Sequence, residues 1–301
     1  IPADDTITIK LPEFKMQQGY DYYVNFSGEQ SWNQYPLGDN SVPEVASVPK
    51  KAKVEFEVDA ESGLIGKYAV NGVDYLSGNF GIRPNYWRAP NDNDYGNGAP
   101  ARWQAWKVYG KENKPAEVTD QMVGENRVVK VVYNLEDLGC SNVVTYTIEP
   151  SGILTVEAQM SEASFKEAPR YGVRWRMPQE FANVRFYGRG PWENYCDRKD
   201  GAQFAIYSCT VDDMYVPYVR PQENGHRVDT RWLEIKNAKG RGLVIHAVEN
   251  PFEFNALHNS VEDFDAEEST APYQWNNFVE NDPHDVGRAR NVMKKQTHVS
   301  D

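Results

Sequence analysis

Residues 144–158, VTYTIEPSGILTVEA, carry the pattern that decides the fold. Apolar and polar residues alternate from Val144 to Ile148 and again from Leu154 to Ala158, which places each apolar set on one face of an extended strand. Between the two sets lies EPSG, a combination of residues that favours a tight turn. The stretch therefore predicts two antiparallel strands joined by a hairpin.

The same alternation extends in both directions along the chain. Upstream, residues 54–58 alternate, and Asn71-Gly72 is a two-residue hairpin signal between short apolar segments. Downstream, residues 171–177 alternate, and residues 232–235 are predicted to pair with residues 243–246. Many short strands with regular turns predict an all-β fold, an antiparallel sandwich of two sheets.

Helix signals are few in this sequence. Ser260 is a suitable N-cap, and acidic residues follow it in the first turn. We therefore predict one short helix of about two turns over residues 261–268 and little helix elsewhere.

Composition excludes several classes of protein. The 301 residues contain 44 acidic and 32 basic side chains, a net charge of −12 without a basic stripe, so a nucleic-acid partner is not expected. The longest apolar run, residues 242–248, is the length of a strand, which predicts no membrane span. Cys140, Cys196 and Cys209 have no Cys-x-x-Cys spacing, so we predict three buried thiols without a disulfide or zinc site.

A change in amino-acid composition divides the chain. Residues 27–50 are rich in Ser, Asn, Gly and Pro and separate two predicted N-terminal strands, residues 6–11 and 22–26, from the long β region. We place a domain boundary near residue 48. The chain starts at Ile1 with neither an initiator Met nor the pattern of a signal peptide, so we interpret it as a piece of a longer polypeptide of undetermined compartment.

Residues 86–96, YWRAPNDNDYG, form a first segment that could bind a ligand. Its acids, amides, arginine and tryptophan suit a hydroxyl-rich ligand or a cation. Asp and Asn also close turns on their own backbone, and Arg88 can pair with Asp92 or Asp94, so we favour a structural loop. The spacing lacks the downstream Gly and Glu of an EF-hand, which excludes that calcium motif.

Two later segments supply the glutamates that a glycosidase would need. YGRGPWENYCDRK at residues 187–199 contains Glu193, and YVPYVRPQENGHR at residues 215–227 contains Glu223 and the potential base His226. A retaining glycosidase holds two carboxylates about 5 Å apart. We nevertheless favour structural ion pairs for both glutamates and a hydrogen-bonded loop histidine. The arginines considered as partners are Arg189, Arg198 and Arg220.

The remaining motifs argue mainly for packing. Residues 250–258, NPFEFNALH, are typical of a strand edge with aromatic anchors. The histidines show no His-x-x-x-His or Glu-x-x-His pattern, which argues against a transition-metal site. The Gly-x-Ser-x-Gly motif of serine hydrolases is also missing.

Four segments together resemble a known family. They are WRAPNDND at residues 87–94, PRYG at 169–172, YGRGPWENYCDR at 187–198 and DMYVPYVRPQENG at 213–225. In this order they closely resemble the C-terminal domain of the large β-galactosidases of glycoside hydrolase family 2. The resemblance covers about residues 50–301, while residues 1–47 resemble the closing strands of the preceding immunoglobulin-like domain.

The resemblance implies a large antiparallel supersandwich, shared with galactose mutarotases, over residues 48–301. It also implies that the catalytic glutamates, and the magnesium and sodium sites beside them, lie in a (β/α)8 barrel outside this sequence. We therefore assign no catalytic residue, metal ligand or cofactor to this chain. The parent is expected to be a bacterial cytoplasmic or periplasmic homo-oligomer that hydrolyses terminal β-galactosides with retention, using this domain as one of its parts.

The family's tryptophan loop that contributes to the galactose pocket is not found before Asp301. We therefore expect a domain that stops before its last strands and leaves a sheet edge unpaired.

The candidate residues for sugar binding or interdomain contact combine aromatic rings with amides, carboxylates and guanidinium groups. They are Trp87, Arg88, Asn91, Asp92, Asp94, Trp192, Glu193, Asn194, Asp197, Arg198, Glu223, Asn224 and His226. Two rival functions use the same residues. One is a carbohydrate-binding module that holds a sugar on its concave sheet, and the other is a mutarotase-like epimerase with Glu223 and His226.

Overall fold

The structure, a computed structural model, describes residues 8–17, 20–27, 32–39, 48–112, 114–161, 168–218, 223–265 and 296–300. The chain divides into two compact units, Ile1–Val45 and Ala46–Asp301. The boundary expected from the sequence, near residue 48, lies close to this division.

The smaller unit contains an antiparallel hairpin. Its strands are β1 (Asp21–Ser27) and β2 (Trp32–Asp39). β1 contains the predicted strand at residues 22–26. The predicted strand at residues 6–11 is wrong for residues 8–11, which are not in a strand, and its first two residues lie outside the described part of the chain. The partner of β1 comes directly after it instead, because a short connection closes a hairpin at a small entropic cost.

The larger unit consists mainly of short strands. In chain order they are β3 (Val54–Val58), β4 (Ile65–Val70), β5 (Val73–Asp74), β6 (Arg83–Asn85), β7 (Glu117–Val123), β8 (Asn126–Leu135), β9 (Cys140–Ile148), β10 (Leu154–Met160), β11 (Gly172–Pro178), β12 (Asn183–Gly190), β13 (Gln203–Thr210), β14 (Arg227–Thr230), β15 (Trp232–Lys236), β16 (Gly242–His246), β17 (Phe252–Leu257) and β18 (Gln296–Ser300). They form antiparallel sheets in the orders β3-β4-β5, β10-β9-β8-β7, β14-β17-β18-β11-β6 and β13-β12-β15-β16. The predicted all-β, antiparallel class is confirmed.

The predicted hairpins have the expected register. Leu154 lies opposite Ile148 in β10 and β9, and Tyr146 is fully buried, as the alternation of this stretch requires. β15 and β16 pair with Trp232 opposite His246. The Asn71-Gly72 turn joins β4 to β5. The alternation of apolar and polar residues, together with the turn residues, was therefore sufficient to predict which of these strands pair.

One strand that was predicted at the edge of a sheet lies inside its sheet. The prediction of a strand edge at residues 250–258 is wrong, because β17 lies between β14 and β18 inside its sheet. Its aromatic packing is confirmed, since the Phe254 side chain is only 1% exposed. Single-sequence periodicity does not distinguish an edge strand from a central one, because it does not identify the strand's neighbours.

Two hydrophobic clusters form the core of the larger unit. The first contains Tyr86, Trp87 and Trp106, and the second contains Ala89 and Phe254. Residues 86–89 therefore pass from one cluster to the other. This position anchors the backbone of the first candidate segment by apolar packing at both ends.

The helices are short, and most of them were not predicted. They are α1 (Asp92–Gly96), α2 (Ala99–Arg102), α3 (Gln104–Glu112), α4 (Val211–Met214) and α5 (Val261–Phe264), with a 3-10 helix at Glu136–Leu138. The predicted helix at residues 261–268 begins correctly with a Ser260 cap but ends at Phe264, and residues 266–268 lie outside the described residues.

The cysteines are less buried than expected. Cys196 is exposed, and Cys140 and Cys209 are intermediate, so the prediction of three buried thiols is wrong. Cys196 lies in a turn between β12 and β13. Its side chain is therefore not covered by the hydrophobic core, although cysteine is usually buried. In the part of the chain that the structure describes, no helix is long and apolar enough to cross a membrane.

We predict that Gly242→Ala destabilises the larger unit by about 1–3 kcal/mol, because an added Cβ would lie 2.6 Å from the Lys236 Cα and closer still to the Ile235 carbonyl oxygen. Gly66→Ala is the matched control. Gly66 is also a strand glycine, but nothing lies within 4 Å of its added Cβ, so this change should be neutral or slightly stabilising. Urea denaturation of both variants measures the difference, and equal midpoints would contradict the packing argument.

Candidate functional site

The first candidate segment is held together by local ion pairing and helix capping. Arg88 donates from both terminal nitrogens to Asp94, at 2.6 and 3.0 Å. Asn91 caps α1 by accepting from the Asp94 backbone N–H at 3.0 Å, and the Asp94 carboxylate accepts from the Asn91 N–H at 2.8 Å. The predicted pairing of Arg88 is confirmed with Asp94. Asp92 lies on the exposed side of the helix, and Trp87 is buried in the core.

Glu223 is one of the two predicted glutamates, both of which have buried side chains. Its side chain is 8% exposed, and Arg170 donates to its Oε2 at 2.7 Å. The Nε of Arg88 lies 3.9 Å from its Oε1. One carboxylate therefore connects the segment that follows Trp87 with the segment that precedes β11.

The charge state of Glu223 follows from these neighbours. Burial alone would raise the pKa of this carboxyl, but the electrostatic influence of its neighbours, chiefly the Arg170 guanidinium and also Arg88, outweighs this effect, and the pKa is lowered from its ordinary value. Glu223 is therefore ionised at neutral pH.

Asn224 and His226 serve the structure of the same loop. Asn224 accepts from the Val216 N–H at 2.9 Å and donates to the Val216 carbonyl oxygen at 2.6 Å. His226 is 1% exposed, and its ring nitrogens lie 3.2 Å from Asn255 Oδ1 and 2.8 Å from Glu253 Oε2. The expectation of a hydrogen-bonded loop histidine is confirmed by this geometry.

The segment around Glu193 forms a second cluster beside the first. Arg198 donates to Glu193 Oε1 at 2.6 Å, and the Tyr218 hydroxyl also contacts this oxygen. The Gly225 N–H donates to Glu193 Oε2 at 3.0 Å, which links the cluster to the Glu223 loop. Of the three arginines considered, Arg198 is thus a partner of Glu193, whereas Arg220 lies outside the described residues.

The other residues of that segment do not converge on a common point. Asn194 is buried and donates to the carbonyl oxygens of Arg189 and Trp192, both at 3.0 Å. Trp192 is 75% exposed, and Asp197 is also exposed. Arg189 pairs with Asp229 at 2.6 Å.

Sequence reasoning missed two of the most important partners. Arg170 and Asn255 contact each other at 3.0 Å, and each also contacts a residue of the Glu223 loop. Arg170 belongs to the PRYG motif at residues 169–172, which was the available signal. Asn255 lies inside the aromatic strand β17, where nothing in the local pattern distinguishes it from a packing residue.

The described side chains do not form a site that suits a metal ion. Among the described residues, no group of three or more His, Cys, Asp and Glu side chains lies close enough to share a metal. The buried carboxylate of Glu223 already faces the guanidinium of Arg170, which would repel a cation. The geometry therefore suits structural ion pairing and recognition of polar groups better than metal binding.

We predict that Arg170→Met destabilises the protein by about 3–5 kcal/mol at pH 7, because it leaves Glu223 with its buried charge incompletely compensated. Lys67→Met is the control. Lys67 pairs with Glu55 at 2.7 Å with both side chains about one-third exposed, so its loss should cost little.

The dependence of stability on pH should also differ between Arg170→Met and the wild type. In the wild type the lowered pKa of Glu223 makes its contribution to stability complete above its ordinary pKa of 4.5 and lost as the pH falls through its folded pKa. Without Arg170 the loss of hydration on burial dominates and the folded pKa of Glu223 rises, so Arg170→Met should recover stability as the pH falls from 7 to 5. Denaturation at both pH values measures this, and an unchanged deficit would contradict the role given to Glu223.

We predict that Arg88→Ala destabilises by about 3 kcal/mol, because it removes the bidentate pair with Asp94 and a positive charge near Glu223. Asp92→Ala, an exposed change on the same helix, should have a much smaller effect. Thermal denaturation compares the two. If Arg88→Ala left the midpoint unchanged, the loop would not depend on this arginine for its structure.

Comparison with known proteins identifies the family to which this sequence is similar. The chain matches the model described as beta galactosidase small chain over residues 50–289. It is similar to the beta-galactosidase of Priestia megaterium, with 36% identity over 200 residues, 66% of this chain and 19% of that protein. The beta-galactosidase of Streptococcus thermophilus is 34% identical over 196 residues, 64% of this chain and 19% of that protein. For the beta-galactosidase of Vibrio cholerae the identity is 28% over 271 residues, 76% of this chain and 26% of that protein.

The match to the family model covers most of the chain and includes all of the candidate residues. The chain spans about a fifth of the length of the first two relatives. The resemblance expected from the four sequence motifs is confirmed, and the chain belongs to the beta-galactosidase small chain family.

Proposed function

We propose that this chain supplies a noncatalytic β domain to a β-galactosidase. The observation that supports the proposal is the placement of its two loop glutamates. Glu223 is held by Arg170 and Arg88, and Glu193 by Arg198, Tyr218 and the Gly225 N–H. Both carboxylates are thus occupied as structural acceptors.

The chemistry of glycoside hydrolysis argues in the same direction. A retaining enzyme needs one carboxyl that is protonated at working pH and a second that attacks the sugar. A general acid is obtained by raising a carboxyl pKa, whereas the pKa of Glu223 is lowered. Arg170 therefore holds Glu223 in the wrong protonation state for donating a proton to a leaving group.

The proposal assigns the catalytic steps to other parts of the parent. Its general acid and nucleophile, and the magnesium and sodium ions implied by the family resemblance, would belong to the (β/α)8 barrel of the same enzyme. The described residues of this chain do not fit those ions, because the buried carboxylate of Glu223 faces two guanidinium groups. The partners of the domain are then the remaining domains of the parent, through which it serves a β-galactoside substrate in a homo-oligomer.

A mutarotase-like function is less well supported. Such an enzyme needs a base that reaches the anomeric hydroxyl of a sugar. His226 is buried, and its two ring nitrogens face Asn255 and Glu253. The histidine would have to leave both contacts before it could accept a proton.

We predict that the purified chain alone does not hydrolyse an aryl β-galactoside above the buffer background, because the general acid and nucleophile are proposed to belong to another part of the parent. Adding the polypeptide that carries the rest of the parent enzyme should restore hydrolysis. The release of the coloured phenol from both samples measures this.

Glu193→Gln and Glu223→Gln versions of the chain serve as controls. Turnover by the chain alone that disappears in either variant would refute the noncatalytic assignment. Failure of the combined polypeptides to show any turnover, with each of them folded, would refute the assignment to a β-galactosidase.

A further inference from the structure

The surface of the larger unit presents a tryptophan to solvent just beyond the end of β12. Trp192 is 75% exposed, the largest exposed fraction among the aromatic side chains that the structure describes. Tryptophan contributes a large apolar area when it becomes covered, and it is enriched among the residues that dominate protein–protein binding. We propose that Trp192 is the central residue of a docking surface, and that it inserts into an apolar pocket of the rest of the parent polypeptide.

The backbone around Trp192 is fixed on both sides. Arg227 donates from Nη2 to the Pro191 carbonyl oxygen at 2.8 Å, and the Asn194 side-chain amide donates to the Trp192 carbonyl oxygen at 3.0 Å. Arg227 is 4% exposed and Asn194 is 1% exposed. Two buried side chains therefore hold the peptide groups before and after the indole. An aromatic side chain on such a backbone loses little conformational freedom on binding, which lowers the entropic cost of association.

The neighbours of Trp192 have the composition of a binding surface. Arg198 donates to Glu193 Oε1 at 2.6 Å, and the Tyr218 hydroxyl contacts the same oxygen. The Glu193 side chain is 7% exposed, whereas the Arg198 side chain is 39% exposed. Tryptophan, tyrosine and arginine are the residue types that most often carry the binding energy of an interface.

The pairing of Arg198 also restricts the chemistry of the partner. Its positive charge is already balanced by Glu193, so the partner surface does not need to supply an anion. A complementary surface would provide an apolar pocket for the indole ring of Trp192 and a hydrogen-bond acceptor for its N–H group.

The rest of the parent is the occupant that the observations favour. The chain spans 19% of each of the first two relatives, so proteins of this family contain large further parts against which such a surface can pack. A second copy of this chain is a poorer candidate, because the net charge of −12 on each copy opposes self-association. The inference rests on the proposed function, which makes the remaining domains of the parent the partners of this domain.

The test measures binding of the whole chain to the polypeptide that carries the rest of the parent, by isothermal titration calorimetry. Trp192→Ala should raise the Kd by about thirtyfold or more, as expected when an interface loses its central aromatic residue. Met122→Ala is the matched control, because Met122 is a large apolar residue of β7 that is 64% exposed. Its Kd should stay within about threefold of wild type. Both variants should keep the melting midpoint of the wild type, because exposed substitutions have small effects on stability.

A second measurement follows Trp192 itself by fluorine NMR of the chain labelled with fluorotryptophan. The Trp192 signal is identified from a Trp192→Phe variant. In the free chain it should differ in frequency between water and heavy water, because the indole is exposed. In the saturated complex this difference should disappear, because the pocket excludes solvent from the ring.

Several results would overturn the inference. If the wild-type chain bound the rest of the parent and Trp192→Ala bound it within about threefold as tightly, or if the Trp192 signal stayed sensitive to heavy water in the complex, this surface would not be the docking site. Self-association of the free chain that is lost in Trp192→Ala, measured by sedimentation velocity, would assign the surface to a second copy instead. If the wild-type chain did not bind the folded rest of the parent at all, the proposed function would be refuted together with this inference.

Discussion

The buried carboxylate of Glu223 is the contact on which the rest of the candidate region depends. Transferring such a charge out of water is unfavourable by several kcal/mol unless it is paired and hydrogen-bonded. Arg170 supplies a close pair at 2.7 Å, and Arg88 supplies a second positive charge at 3.9 Å. Because the three residues come from distant parts of the chain, satisfying one charge requires three segments to meet in one place.

Further polar contacts radiate from this centre. Asp94 pairs with Arg88 and also completes the capping box of α1. The same carboxylate therefore holds the arginine in place and caps the start of the helix. On the other side, the Gly225 N–H binds Glu193 and thereby attaches the second cluster. Both predicted glutamates are thus parts of a connected framework, in which removal of Arg170 would leave the buried Glu223 carboxylate incompletely compensated.

Contacts between residues that are close in the sequence could be predicted, but contacts between distant residues could not. Hairpins such as β9 and β10 follow from period-two alternation and a turn, and the Arg88–Asp94 pair spans only six residues. The Arg170–Glu223 contact spans 53 residues, and no periodicity links its members. The short helices between β6 and β7 were missed because they depend on capping and on burial against the core.

The electrostatics of this framework also restrict what kind of function the region can have. A glutamate that stabilises the fold through its ionised form cannot also be tuned to donate a proton, because the arginine that makes its burial tolerable is the same group that lowers its pKa. The contacts that bury Glu223 in its ionised form therefore oppose a general-acid role for this carboxylate.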